Sequence, residues 1–176
     1  MAEETILQNG FPKGEHRDIL LGPNGEVIWE RPWQSNLIVD GLRSLLAGLL
    51  KGDAAVSRLN FWAVGTGERE WDEGDLPNDD DRRMRIELFN EVGRKRLDDG
   101  QITFVGGTIT NQLEITTDFV VDDLAAGLEN RQLREFGLFA NENTTLGNGL
   151  LINHRIHPLI VMQEGFTLQR VLRLTF

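Results

Sequence analysis

Hydrophobic and polar positions alternate through much of the chain. Over residues 109–121, Ile109, Asn111, Leu113, Ile115, Thr117 and Phe119 fall on one face, and Thr110, Gln112, Glu114, Thr116 and Asp118 on the other. That period of two predicts a half-buried antiparallel strand, apolar inside and polar outside. The closing segment, 166–176, repeats it with Phe166, Leu168, Leu172, Leu174 and Phe176 on one side. Shorter strand candidates are 59–64, 85–92, 101–105, 133–140 and 150–156. Asn24-Gly25 lies between two apolar runs, 19–21 and 27–29, and predicts a hairpin turn. One segment has a different period. Ile38, Leu42, Leu45, Leu46 and Leu49 recur at helical spacing and predict an amphipathic helix over about 36–51. Ser35 or Asn36 would cap its start and Gly52 would supply the left-handed stop. Gly41 and Gly48 share a face of this helix, where close approach of another backbone would explain them.

Turns every 8–12 residues between short strands favour a mainly β fold. The expected architecture is an antiparallel β-sandwich with one amphipathic helix and an extended N-terminal arm. Residues 1–25, punctuated by Gly10, Pro12, Gly14 and Gly22-Pro23, form the arm and the start of the hairpin, and 26–176 form a single domain. A chain of 176 residues buries about 70% of its unfolded surface, enough for one core. The start, Met1-Ala2-Glu3-Glu4, has no basic or apolar targeting character, so synthesis in the cytoplasm is expected. The longest apolar stretch, 37–50, contains Asp40 and Arg43 and is too short and polar to span a bilayer.

Charge narrows the chemistry. The net charge is −10, which disfavours nucleic acid and anionic membrane as general partners. It is unevenly distributed. Residues 68–81 hold eight acids and one arginine, a local charge of −7, while the remaining 20 acids and 17 basic residues nearly balance. The carboxylate spacing in this loop does not match a calcium-binding register. The loop suits contact with a basic partner surface, and Trp71, Asp72, Glu73, Asp75, Asp79, Asp80 and Asp81 are the candidate partner-binding residues. Trp71, set among acids, is expected to be exposed, with an indole face for a protein or a sugar.

Catalysis finds little support. With no cysteine, thiol chemistry and cysteine-ligated zinc are excluded. The three serines lie outside any Gly-x-Ser-x-Gly motif, and Gly65-Thr66-Gly67 is followed by acids that would repel phosphate. His154 and His157 are three apart, so on a strand they point to opposite faces; surface or half-buried roles are expected rather than a shared metal. Glu114 and Asp118 share a polar face, but nothing marks them as a glycosidase pair. Glu135, inside an apolar run, is expected to pair with Arg134, Arg155 or Arg173 and hold register. No catalytic residue, cofactor or metal is assigned.

The order of several short motifs resembles a family. Gly65-Thr66-Gly67 follows a Trp-bearing strand, then come Glu91-Val92-Gly93-Arg94, the alternating strand, Leu133-Arg134-Glu135-Phe136-Gly137-Leu138-Phe139, the segment 149–160 and the terminal strand 166–176. Over 27–176 this succession resembles small β-rich structural proteins of bacteriophage tails, of the tail-fibre and collar type, and their counterparts in phage-tail-like contractile particles. The resemblance implies a β-sandwich, homo-oligomerisation (a trimer is favoured), docking to other tail or virion proteins, and a place in the virion tail without catalysis. A long repetitive shaft is missing, which favours a fibre, collar or baseplate connector over a receptor-binding fibre. Two alternatives stay open: a carbohydrate-binding host-attachment module using Trp71, and a head decoration or head–tail connector protein. A paired-carboxylate hydrolase is a third, weaker reading.

Overall fold

The computed structural model describes residues 12–140 and 148–176. Eleven strands and two α-helices follow one another: β1 (Lys13–Leu21), β2 (Val27–Glu30), β3 (Gln34–Ile38), α1 (Gly41–Lys51), β4 (Leu59–Gly65), α2 (Asp79–Arg83), β5 (Glu91–Arg96), β6 (Ile102–Phe104), β7 (Gln112–Phe119), β8 (Gln132–Ala140), β9 (Leu150–Leu151), β10 (Asn153–Val161) and β11 (Thr167–Thr175), counted among the described residues. Every pairing is antiparallel. The strand order is β5-β4-β8-β10-β3-β1-β11-β7-β6, with β2 beside β1 and β9 beside β8. The fold is thus mainly β, as the alternation predicts.

β3 is the joint of this sheet. It pairs with β1 over Gly14–His16 but with β10 at only two positions, Asn153↔Ile38 and His154↔Leu37. The sheet is curled and continuous, and both of its halves contribute to one core. Trp62, Phe136 and Leu138 from one half meet Ile115, Phe119, Leu168 and Leu172 from the other in the core. The Leu42 and Leu45 face of α1 packs into the same core. β8 and its neighbour β4 are buried on both faces, at Leu133–Ala140 of β8 and at every residue of β4. A second cluster joins Leu88, from the segment 66–90, to Val39, Phe61, Ala63, Phe139 and Leu151.

Several expectations shift in detail. The hairpin forms at Asn24-Gly25, with Leu21 opposite Val27 and Gly25 at φ 79°. Residues 13–21 are a strand paired on both sides; the remainder of the expected arm, residues 1–11, lies outside the described residues. The polar turn expected at 141–149 falls mostly outside them too. The helix begins at Gly41, five residues after Asn36, because Gln34–Ile38 is claimed by strand pairing. Asp40 stands at the N-cap, and its backbone N–H donates to the Arg83 carbonyl of α2 at 2.9 Å. The helix stops at Gly52, φ 72°, as its left-handed signal predicts. Residues 85–90 form a loop, and the strand near 85–92 is instead Glu91–Arg96.

Gly41 illustrates the close approach expected of the helix glycines. A Cβ there would stand 1.9 Å from the Leu151 carbonyl oxygen. Gly41→Ala gains helix propensity of about 1 kcal/mol, yet it forces backbone atoms apart. We expect a net loss of about 1–3 kcal/mol by urea denaturation, in the range of overpacked cores. Gly100→Ala, where nothing lies within 4 Å of the added atom, is the matched control.

Candidate functional site

The acidic loop is the first part of a flap, residues 66–90, laid over the outer face of β4 and β8. Its entry is the Gly65-Thr66-Gly67 turn. A Cβ on Gly65 would lie 2.6 Å from a Glu135 carboxylate oxygen, and one on Gly67 would lie 2.1 Å from the Trp71 ring. Gly67 also has φ 54°. Both glycines are therefore required by what packs on them. Thr66 joins the flap's entry to its exit: its N–H donates to the Asn90 carbonyl at 2.9 Å, and its hydroxyl accepts from the Asn90 side chain at 2.5 Å.

Two adjacent charged residues of β8 fasten the flap. Arg134, 4% exposed, donates from Nη2 to Asp72 at 2.7 Å and from Nε to the same carboxylate at 3.0 Å. Its Nη1 donates to the Thr66 carbonyl at 3.3 Å. The Arg134 hydrogen bond holds the Asp72 carboxyl below its ordinary range. Glu135 is wholly buried and accepts three hydrogen bonds. The backbone N–H of Asn90 donates to Oε1 at 2.8 Å, that of Phe89 to Oε2 at 3.0 Å, and His154 Nε2 reaches Oε2 at 2.9 Å.

Arg82 sets the tautomer of His154. Its Nε points at His154 Nδ1 at 3.5 Å, and its Nη2 donates to the His154 carbonyl at 3.1 Å. A guanidinium only donates, so Nδ1 accepts and Nε2 carries the proton given to Glu135. The imidazole is neutral. Burial lowers its pKa, the Glu135 hydrogen bond and charge oppose that shift, and Arg82 and Arg85 add to it. The same Arg82 pairs with Asp79 inside α2 at 2.8 Å, so its bonds to His154 tie that helix to the core.

The candidate partner-binding residues separate accordingly. Trp71 is buried, 7% exposed, contrary to the exposure expected from its acidic neighbours. Its ring lies under Gly67 and meets Phe89 edge-on at 5.0 Å between centroids. Asp72 faces Arg134 and Asp79 faces Arg82. Asp81 closes the first turn of α2: Asn78 accepts from its backbone N–H at 2.9 Å and donates to its carboxylate at 2.6 Å. All six acids are exposed; Glu73, Asp75 and Asp80 lie outside the pairings just described, alongside exposed Glu68 and Glu70. The flap thus presents an acidic outer surface on an immobilised base.

Some partners escaped the sequence reading. Glu135 holds structure as expected, but its partners are His154 and two amides instead of Arg134, Arg155 or Arg173. Arg173 pairs with Glu114 at 2.8 Å, and Arg155 bonds Gln34 at 2.7 Å. His154 and His157 are both buried, where surface or half-buried positions were expected. They do serve opposite sides. His157 joins a second polar cluster between the two halves of the sheet: its Nε2 accepts from Arg170 Nη2 at 2.9 Å and its Nδ1 donates to the Pro158 carbonyl at 2.9 Å. Arg170 is fully buried, with Nε 3.3 Å from Asp18 and its guanidinium 4.4 Å over the Phe136 ring. Burial pushes its pKa down to about 10, against the opposing charge of Asp18, so it stays charged at neutral pH. Glu91 and Arg94 of the resemblance form a buried ion pair at 2.6 Å. Among the described residues no group of three or more His, Cys, Asp or Glu could hold a metal ion.

No protein-family model matches the sequence, and comparison with curated proteins and with solved structures gives no match.

Proposed function

We propose that this chain is a non-enzymatic structural component of a phage tail, or of a phage-tail-like contractile particle, working by self-association and docking to other tail proteins. One observation supports this reading above the others: the motifs behind the resemblance converge on one architectural task. Gly65-Thr66-Gly67, Arg134-Glu135 and His154 meet to fasten the acidic flap, while Glu91–Arg94 lock the neighbouring edge. Their ionisable groups are consumed by hydrogen bonds and ion pairs, and they hold a charged surface in place. A preorganised acidic surface docks a basic partner with little ordering penalty and steers its approach. The glycan alternative loses its platform, since the Trp71 indole is covered.

The test combines sedimentation of the purified chain with co-purification against tail proteins. Self-association and capture of a tail protein support the reading; a chain that stays monomeric at high concentration and captures none overturns it. Reversing Glu68, Glu70, Glu73, Asp75 and Asp80 to lysine leaves the fastening residues intact. We expect that variant to associate about tenfold or more slowly at low salt and to lose most of the salt dependence. Unchanged assembly would leave the flap as a solvated surface.

A further inference from the structure

The acidic flap has a counterpart of opposite sign on the same chain. Arg31, between β2 and β3, donates from Nη1 to the Pro158 carbonyl of β10 at 3.3 Å. Arg155 of β10 reaches the other way. Its Nη1 donates to the Ser35 carbonyl of β3 at 3.0 Å and its Nη2 to the Gln34 side chain at 2.7 Å. The two guanidiniums thus stitch the seam where β3 and its entry meet β10, and both are half-buried there.

Their hydrogen-bond partners are carbonyl oxygens, and among the described residues neither forms an ion pair. Arg82, Asp18, Arg31 and Asp79 are the charged groups that act on Arg155. Asp79 is already paired with Arg82, and Asp18 with the buried Arg170. Arg31 and Arg155 are therefore left as two unmatched positive charges. A guanidinium has five N–H donors, so both retain capacity for an incoming carboxylate. The surroundings suit a protein surface. Trp29 lies against Arg31, its ring 4.7 Å from the guanidinium. Ile28 of β2 and Leu159 and Val161 of β10 are 48%, 39% and 48% exposed. Arginine and aromatic side chains are enriched at protein interfaces, whose buried centres are apolar.

We propose that Arg31 and Arg155 form the docking site for the acidic flap of a second copy of this chain. The inference rests on the self-association proposed above and names its two surfaces. The incoming flap presents Glu68, Glu70, Glu73, Asp75 and Asp80, which form no ion pair among the described residues, with exposed Leu76 beside Asp75. Fastening to Arg134 and Glu135 holds these acids in place, and none of them pairs with Arg31 or Arg155 of its own chain. The acidic and basic surfaces differ, so the contact is heterologous. It closes into a ring where the rotation between copies permits and otherwise continues as a filament.

Sedimentation at low salt over a range of concentrations tests this. Arg31→Gln with Arg155→Gln removes both charges and leaves an amide donor in each place. Its self-association should weaken about tenfold or more and lose most of its salt dependence. The flap variant with five lysines should weaken likewise. Mixed in equal amounts, the two should recover a one-to-one pair, because the acidic flap of the first still meets the arginines of the second. A flap variant that also carries both glutamines is the control and should not pair with the first. A mixture that forms no pair overturns the proposal, as does a control that pairs equally well. A double-glutamine variant that associates like the natural chain also overturns it, and leaves self-association standing on other surfaces. A natural chain that stays monomeric overturns it too, while capture of a tail protein would still support docking. If Arg155→Gln prevents folding, Arg31→Gln alone should weaken association about threefold, and unchanged association overturns the site.

Discussion

Glu135→Ala is expected to lower the unfolding free energy by about 3–5 kcal/mol, toward the low end of what three donors left without an acceptor cost. The loss follows from what the carboxylate holds. Without it, the part-buried amides of Phe89 and Asn90 and the buried Nε2–H of His154 are left with no acceptor. Each unsatisfied buried donor costs about 1–3 kcal/mol. Against a typical total of about 5–15 kcal/mol, the variant retains a fold with a weakened flap. Urea denaturation measures the global loss. Hydrogen exchange at Phe89 and Asn90 tests its location: these amides should exchange before those of β1 and β11. Glu135→Gln keeps the shape and one carbonyl oxygen, so it should lose clearly less. A Glu135→Ala loss below about 1 kcal/mol, the worth of one ordinary hydrogen bond, would mean that other contacts fasten the flap.

The position of Glu135 was legible in the sequence, and its partners were not. A charged pair, Arg134-Glu135, inside the apolar run 133–140 can persist only if buried groups compensate it, so a structural ion pair was the natural reading. The compensating groups come from Phe89, Asn90 and His154, between 19 and 46 residues away, and no local period encodes that distance. Trp71 failed for the same reason. Its chain neighbours are acids, but its packing partner Phe89 is 18 residues on. Elements governed by local chemistry were readable throughout. The period of two in β7 and β11, the Asn24-Gly25 hairpin and the Gly52 stop depend on neighbours within a turn or a strand. The helix start was not, because pairing of Gln34–Ile38 with β1 and β10 overrode a helical pattern that the sequence also supports.

Acid should begin to destabilise this chain below about pH 6.5, above the range in which free carboxylates titrate, because all three histidines are buried and neutral at pH 7. His16 is pushed down to about 3, by burial first and then by Arg155 and Arg170. His157 is held well below the usual imidazole range by burial, then by Arg170, with Arg31 and His16 adding to it. Protonating it would aim a second N–H at the guanidinium it now accepts from. His154 is lowered too, in spite of Glu135. The unfolded chain takes up these protons near pH 6.5. Between that pH and the folded values the unfolded state binds more protons, so stability falls as the pH falls. Above pH 6.5 the histidine contribution is constant. Each contributes up to about 1.4 kcal/mol per pH unit within its own window. For His16 the window runs from about 6.5 to about 3. Acidification through these windows removes part of the 5–15 kcal/mol or so that holds an ordinary domain together. Urea midpoints at pH 7.5, 6 and 5 should decline, the fall beginning below about pH 6.5. His157→Gln can still accept from Arg170 and donate to the Pro158 carbonyl, but it cannot titrate. It should reduce the pH slope by about one proton, or 1.4 kcal/mol per unit. A midpoint unchanged from pH 7.5 to 5 would show that the imidazoles take up protons inside the fold, and would contradict the donor–acceptor assignments of His154 and His157.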